Sequence, residues 1–596
     1  MLLLVWAASA VYVSGFVARG WVPHDEGMLG QSAERVLRGE LPHSDFDESY
    51  TGGLAYGHAL AFRALGVRLL SLRVALFVGF LLFVPLFYAL AARLLPPWPA
   101  ALATLVAVAW SLPNYFASMP SWYVLFFSLL GSYAVLRHIE TGRRLPLFAA
   151  GLCASAGILV IIVGLYFVAA VLLFLVFREQ ELSRARSESS RGAAFFAFEA
   201  AALAAFLASV LALARSSLSP MSALHFVVPA AAVCALLLRR AWALRRAGRF
   251  GERFRALAAL VAPFAAGVSL PILLFAAFYA GRGGLSDLTR GLFVLPMRQV
   301  RAASLSLPPL PTFAAALPYA LALVLSTRSR RRAGPGVLTL VAAALVLLLV
   351  LSSSEEAYRL VWHSARSLGV VAVLVGCMSL LRGNASEEAP ASQETFLLLS
   401  VAALLALLQF PYAAPIYFCY VAPVVVLALS AVARRGRLLL HGIVAGFYLA
   451  FAVWRLNPGY VWNLGVRPAA YGPLAPLGVE RGGLRVPASD AQVYRTLVAA
   501  IGTRSRGPYV YAAPDCPEVD FLAARLSPTR VSFDYLREPP TPQALLRRLR
   551  ETMVTVVVLN TRPDYSDPIS PALHTALESE FPNAERIGKF ELRWRP

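Results

Sequence analysis

Lysine is all but missing from this 596-residue chain: Lys589 is its single example, so nearly all of the 54 Lys and Arg residues are arginines. Any phosphate the protein holds must therefore be gripped by guanidinium groups, which meet phosphate oxygens in pairs. Cysteine is scarce too. Cys153, Cys234, Cys377, Cys419 and Cys516 show neither CxxC spacing nor the density of a disulfide scaffold, so no structural zinc site or cystine framework is indicated. Three of them fall inside predicted spans, where small buried hydrophobes are expected. No nucleotide-binding glycine motif appears. Charge of either sign is thin, at 15% of residues against 58% hydrophobic, and the mean hydropathy is +0.65. A soluble protein of this length is far less apolar. The bilayer must be its main solvent.

What is present, from Leu2 almost to Trp454, is a succession of apolar stretches of about 20 residues, the length that spans a bilayer. Predicted spans lie at 2–18, 69–93, 98–113, 121–137, 193–214, 221–238, 257–280, 311–327, 337–352, 366–382, 396–410, 417–433 and 438–454. A further apolar run at 147–177 has basic segments at both ends, so it must cross an even number of times, as two short helices broken near Gly164. Such a broken hairpin is tolerated where it borders a cavity, and this one is a candidate edge of an active site. About 13 to 15 transmembrane helices result.

A formal net charge of +21 invites a nucleic-acid reading. Its distribution argues against one. The basic residues cluster between spans, at Arg143 and Arg144, Arg239 to Arg255, Arg328 to Arg332 and Arg434 to Arg437, the positive-inside pattern of cytoplasmic loops. With an odd number of crossings, the first loop (19–68) and the chain after Trp454 both lie outside.

That first loop is too long and too patterned for a plain connector. Met28, Leu29, Ala33, Val36 and Leu37 repeat at helical spacing, a second amphipathic stretch runs from Leu54 to Leu65 and contains His58, and between them Asp45, Asp47, Glu48 and Tyr50 sit in a turn-rich segment. Asp25 and Glu26 stand where the first span ends. A partly buried carboxylate there suits a general base; equally, an acidic pair suits the free amides of a helix beginning near Gly27. Three other outer loops carry cations or aromatic clusters: 281–310 with Arg298 and Arg301, 353–367 with Arg359, His363 and Arg366, and 409–423 with Tyr417, Tyr420 and Pro423. Arginines at this level fit either snorkelling helix ends or an anionic headgroup.

The run His24-Asp25-Glu26-Gly27, the helix ending Arg35-Val36-Leu37-Arg38-Gly39-Glu40-Leu41-Pro42, then Ser44-Asp45-Phe46 and Tyr50-Thr51-Gly52-Gly53, resembles the opening of bacterial C-fold glycosyltransferases of the protein-mannosyltransferase and aminoarabinose-transferase group. The resemblance implies an α-helical polytopic membrane enzyme that takes a sugar from a polyprenyl-phosphate donor, with inversion, outside the cytoplasmic membrane. It carries the group's essential acid onto Asp25, with Glu26 as its neighbour, and a late Tyr and Pro segment onto Tyr417, Tyr420 and Pro423. It implies an envelope glycan, lipid or protein as acceptor. One departure matters: the lysine that some members place before a Pro-Pro pair has no counterpart, so Arg298, Arg301, Arg359 or Arg366 would have to meet the donor phosphate. Phosphate is already a good leaving group, so the chemistry requires no cofactor, while a divalent ion bridging Asp25, Asp45 or Asp47 to it is the alternative. A transporter or lipid flippase, and a non-catalytic envelope assembly protein, are the readings from other classes; a transporter would place more ionisable residues near the midplane.

Residues 455–596 alternate in the manner of a small α/β domain. Strands are predicted at 509–513, 531–533, 554–559 and 589–593, and helices at 489–502, 541–552 and 571–580. Asp515, Cys516 and Glu518 form a polar turn expected to serve local structure, and the domain is expected to recognise the acceptor or cover the site.

Overall fold

A computed structural model of the chain describes residues 1–184, 193–215, 218–246, 249–295, 307–308, 310–314, 316, 319–320, 335–382, 389–434, 438–459, 473–531, 533–536 and 541–596. The chain is a multi-pass membrane protein. Among the described residues, ten helices are long and apolar enough to cross a bilayer: α4 (Leu69–Leu94), α6 (Pro120–Thr141), α8 (Leu165–Arg184, entered through Ile162), α9 (Ala193–Ala214), α10 (Pro220–Ala243), α11 (Phe250–Ala280), α14 (Glu355–Arg382), α15 (Pro390–Gln409), α16 (Pro415–Ala433) and α17 (Leu438–Arg455). Shorter apolar helices are α1 (Leu2–Ser14), α5 (Pro97–Ala109) and α7 (Leu145–Val160), together with Leu338–Leu351 of α13 (Pro335–Leu351). Most of the span expected at 311–327, and with it Arg298 and Arg301, lies outside the described residues. The short α12 (Leu285–Phe293) precedes that gap.

The apolar run at 147–177 does break: α7 ends at Val160, a 3-10 turn covers Ile162–Gly164, and α8 begins at Leu165. Glycine is needed there because a Cβ on Gly164 would lie 2.5 Å from the carbonyl carbon of Gly157. The tip of this hairpin meets the first loop, where a Cβ on Gly53 would stand 2.4 Å from the carbonyl oxygen of Leu159. α14, α15 and α16 bury most of their surface in the protein and form its centre, whereas α9 and α11 sit at its rim. At the end of the bundle away from that tip, Arg253 of α11 is held by Glu179 of α8 at 2.6 Å and faces Glu199 of α9 at 3.4 Å, all three fully buried.

The first loop folds into two helices, α2 (Pro23–Leu37) and α3 (Gly53–Leu65). After Leu474 come strands. A hairpin of β1 (Leu474–Pro476) and β2 (Arg485–Pro487) precedes α18 (Ala488–Arg504), and a four-stranded sheet follows in the order β3-β4-β6-β5, with β3 (Tyr511–Ala513) parallel to β4 (Val556–Asn560) and β6 (Phe590–Trp594) antiparallel to both β4 and β5 (Asn583–Ile587). Alternate residues of β4 serve opposite faces. Val557 and Leu559 pack with Leu545 and Leu549 of α20 (Pro542–Glu551) and Leu573 and Leu577 of α21 (Pro571–Glu580), while Val556 and Val558 belong to the main core with Leu497 and Ile501 of α18.

One strand expectation needs correction. Among the described residues, 531 and 533 belong to no strand, and Arg530 just before them gives its backbone carbonyl to the Asp47 amide (2.8 Å) and its guanidinium to the His43 carbonyl (2.8 Å), contacts with the first loop and not with the sheet. β5 escapes the sequence because it is an edge strand with three exposed residues in its middle and no apolar alternation.

The α/β region and the first loop lie at one end of the bundle, in direct contact. α2 packs on α19 (Pro517–Leu522) so closely that a Cβ on Gly27 would stand 2.3 Å from Cα of Glu518, and one on Gly30 would stand 2.9 Å from the Phe521 ring. Arg481 adds an ion pair to Glu34 at 2.7 Å, and the Gly20 amide donates to the Arg485 carbonyl at 2.8 Å.

Candidate active site

α2 begins at Pro23, four residues earlier than the sequence suggests, with Pro at its first position where the missing amide is harmless. His24, Asp25 and Glu26 therefore occupy its first turn, where the two carboxylates meet different surroundings. Glu26 is buried and takes the structural role. Arg73 of α4 donates to it twice, from Nε to Oε1 and from Nη2 to Oε2, both at 2.7 Å, and the Val22 amide donates to Oε2 at 3.3 Å. Arg73 also donates to the carbonyls of Val17 (3.0 Å), Arg19 (3.2 Å) and Gly20 (2.6 Å), which ties the end of the first span to the start of the next.

Asp25 is the accessible member, its side chain 27% exposed. Tyr115, from the turn after α5, donates its hydroxyl to Oδ2 at 2.6 Å. Around this carboxylate stands a wall of phenols. Its charge reaches Tyr50 in the first loop, Tyr417 and Tyr420 at the start of α16, and Tyr535 and Tyr565 in the α/β region. Burial first, and the Asp25 charge second, hold the hydroxyls of Tyr50, Tyr115 and Tyr565 far above the ordinary tyrosine range, so they are protonated donors at neutral pH. Ring contacts lock the wall: Tyr412 stacks on Tyr417 at 5.1 Å, Tyr417 meets Tyr420 edge-on at 5.8 Å, and Trp122 meets Tyr420 at 4.5 Å.

The predicted cations fare differently. Arg359 pairs with Glu355 one turn away, and both are about half exposed. Arg366 is buried. It donates from Nη2 to the Ala413 carbonyl at 2.9 Å, its Nε finds no hydrogen-bond partner, and no carboxylate pairs with it among the described residues. Ala413 lies in the same turn as Tyr412, and the Arg366 charge is felt at Cys419, one residue from Tyr420. The cation and Asp25 thus approach the head of α16 from different elements. His363, three residues before Arg366, has an Nδ1 without a hydrogen-bond partner.

Other expected loop residues are spent locally. Asp45 accepts the Leu41 amide at 2.6 Å, and Asp47 is buried 3.9 Å from Arg530. His58 shares a hydrogen bond with Ser118 at 3.0 Å, and Ser118 another with Tyr123 at 2.8 Å; burial lowers the imidazole to about 3 and keeps it neutral. Among the described residues, the group that could offer three ligands to a metal is His574, Glu578 and Glu591, two of them paired with Arg593. Asp25, Asp45 and Asp47 form no such group.

The sequence reading did not name Arg73, Tyr115, His24, Asp564, Tyr535 or Tyr565 as site residues. Arg73 had a signal of its own: a lone charge inside an apolar span needs a partner. His24 stands within the motif that carries the resemblance, and the rest have no signal beyond being aromatic or polar residues in connecting segments.

No protein-family model and no curated relative matches the chain. Solved structures do. It is similar to the Archaeoglobus fulgidus oligosaccharyltransferase, solved with zinc and sulfate, at 14% identity over 93% of this chain and 67% of that one, with a TM-score of 0.44. It is similar as well to ArnT from Cupriavidus metallidurans bound to undecaprenyl phosphate, at 13% identity over 99% of this chain and 97% of that one, with a TM-score of 0.39.

Proposed function

We propose that this protein is a membrane glycosyltransferase that moves a sugar from a polyprenyl-phosphate donor to a hydroxyl of a cell-envelope acceptor, at the outer face of a bacterial cytoplasmic membrane and with inversion. The observation that carries the reading is the contrast within the acidic pair. Glu26 is neutralised by Arg73, whereas Asp25 faces a recess of phenols with, among the described residues, a single hydrogen-bond donor at 2.6 Å and retains a free oxygen lone pair for a substrate proton.

In this reading Asp25 removes the acceptor proton as the acceptor oxygen attacks the anomeric carbon from the face opposite the phosphate. Arg366, with its unpartnered Nε, receives the leaving phosphate and the charge it gains. The tyrosine faces suit a sugar ring, and their hydroxyls supply the hydrogen bonds that orient it. Outer placement agrees with the arginine runs, which then all face the cytoplasm. Asp45 and Asp47 drop out of the chemistry, since each already has a structural partner.

The test is an Asp25→Asn variant produced at normal level in cells, with envelope glycans and lipids profiled by mass spectrometry. A species should vanish. Unchanged products would refute the assignment. Arg366→Met should separately weaken retention of undecaprenyl phosphate by the purified protein, and equal retention would remove Arg366 from the donor site.

A further inference from the structure

His24 lies beside the proposed base and is 3% exposed. Its Nε2 stands 3.7 Å from Oδ1 of Asp25 and 3.1 Å from the Tyr565 hydroxyl, while its Nδ1 stands 3.6 Å from Oδ2 of Asp564. Asp564 is 48% exposed, so the imidazole bridges a recessed carboxylate and one that meets solvent. The rings of Tyr565 (5.1 Å, 86°) and Phe533 (6.1 Å, 74°) hold it edge-on.

The loop that brings Asp564 and Tyr565 here is fixed from behind. Asp515 accepts the amides of Tyr565 (3.2 Å) and Ser566 (2.6 Å) on Oδ2, and the Ser566 hydroxyl (2.8 Å) and the Asp534 amide (3.2 Å) on Oδ1. The polar turn after β3 therefore anchors two segments of the α/β region, carrying Tyr535 and Tyr565, against the site. Among the described residues, titratable groups facing His24 include Asp25 on its own helix, Asp564 and Tyr565 on this loop, and Glu518 on α19, whose carboxyl feels the His24 charge.

A base that takes a proton at each turnover must lose it before the next. The phenols around Asp25 already carry their protons. His24 offers an acceptor nitrogen. We propose that His24 and Asp564 form the proton exit of the site, which makes the α/β region a working part of the proposed transferase as well as a wall of it. The proposal rests on Asp25 being the base. The acceptor hydroxyl gives its proton to Asp25 as its oxygen bonds to the anomeric carbon, and the bond from that carbon to the donor phosphate breaks with its electron pair leaving on the phosphate. The proton then passes from Oδ1 of Asp25 to Nε2 of His24. The imidazolium releases its Nδ1 proton to Asp564 and thence to water, and proton exchange with water, through Asp564 at Nδ1 and through the Tyr565 hydroxyl at Nε2, restores the first tautomer, so that one proton leaves per turnover. The Asp564 carboxylate beside Nδ1 favours the starting tautomer with hydrogen on that nitrogen, and the Tyr565 hydroxyl turns away from Nε2 as the proton arrives from Asp25.

The experiment follows, in membrane vesicles carrying the full chain and their own lipid-linked sugars, the envelope product that is lost in Asp25→Asn cells. His24→Gln should slow its formation by about a hundredfold and Asp564→Asn by about tenfold, with folded protein at normal level. Added imidazole should restore much of the rate to His24→Ala, and the rate of Asp564→Asn should change its dependence on pH. If Asp25→Asn removes the product while Asp564→Asn and His24→Gln form it at the parental rate and with the parental pH dependence, the exit is wrong and the base assignment stands. A loss in His24→Ala that imidazole leaves untouched would make His24 a packing residue and overturn the proposal. If Asp25→Asn removes nothing, the base assignment itself has failed.

Discussion

The Glu26–Arg73 pair sets a cost that can be worked from its geometry. Glu26→Gln removes the charge that balances a fully buried guanidinium but leaves Arg73 its three carbonyl acceptors, Val17, Arg19 and Gly20. Breaking a buried pair from one side costs about 3–5 kcal/mol, and the surviving acceptors place Glu26→Gln near about 3 kcal/mol. Arg73→Met is worse. It leaves a buried carboxylate with one weak donor, the Val22 amide at 3.3 Å, and strips three carbonyls of theirs, each worth about 1 kcal/mol, so its loss should be about 5 kcal/mol or more. The double variant should cost no more than Arg73→Met alone, a coupling of about 3 kcal/mol. Unfolding of the purified full-length protein in mixed micelles, titrated with denaturing detergent, measures all three. Single losses below about 1 kcal/mol, or losses that add to within about 0.5 kcal/mol, would refute the view that Glu26 is structural.

Tyr115→Phe should lower product formation by about tenfold to a hundredfold, the worth of one hydrogen bond to a charged group, with the protein still folded; an unchanged rate in the vesicle assay would show that Asp25 needs no help from that phenol. Burial raises the carboxyls of Glu518 and Asp520, and lifts Asp534 to about 6, so the folded protein holds more protons than the unfolded chain above the ordinary carboxylate range. These groups therefore stabilise when protonated, and stability should fall as pH rises, from about 4 to about 6 for Asp534 and upward from the ordinary carboxylate range for the other two. Asp520→Asn should flatten that slope in thermal unfolding, and a parallel curve would remove Asp520 from the account. Gly27→Ala forces α2 off Glu518, where a Cβ would stand 2.3 Å from Cα, so the α/β region should become sensitive to limited proteolysis; equal resistance would disprove tight docking.

How much of this was legible depended on distance along the chain. The apolar runs and the break at Gly164 rest on local composition and could be read directly. Asp25 could be singled out because its motif is local too. Arg73 is 47 residues from Glu26 and Tyr115 is 90 from Asp25, and a pairing across such a loop leaves no period in the sequence. Asp564 and Tyr565, more than five hundred residues from His24, were further out of reach; the α/β region was expected to recognise the acceptor or cover the site, and it brings these two side chains to His24. Arg359 and Arg366 look alike in sequence. Only burial separates a cation answered within its own turn from one with a donor to spare.

The two bare glycines on α2 also fix an order of events. Ribosomal synthesis delivers Glu26 and Arg73 within a few dozen residues of each other, so the amino-terminal clasp can close while most of the polypeptide is still unmade. The shelf that receives Gly27 and Gly30 begins at Pro517, near the other terminus. A nascent chain therefore carries Asp25 into the membrane long before the surface that completes its surroundings exists, and the enclosure forms only after nearly every span has been inserted. A chain cut short before Pro517 would keep Asp25 and lack the α19 surface on which Gly27 and Gly30 pack.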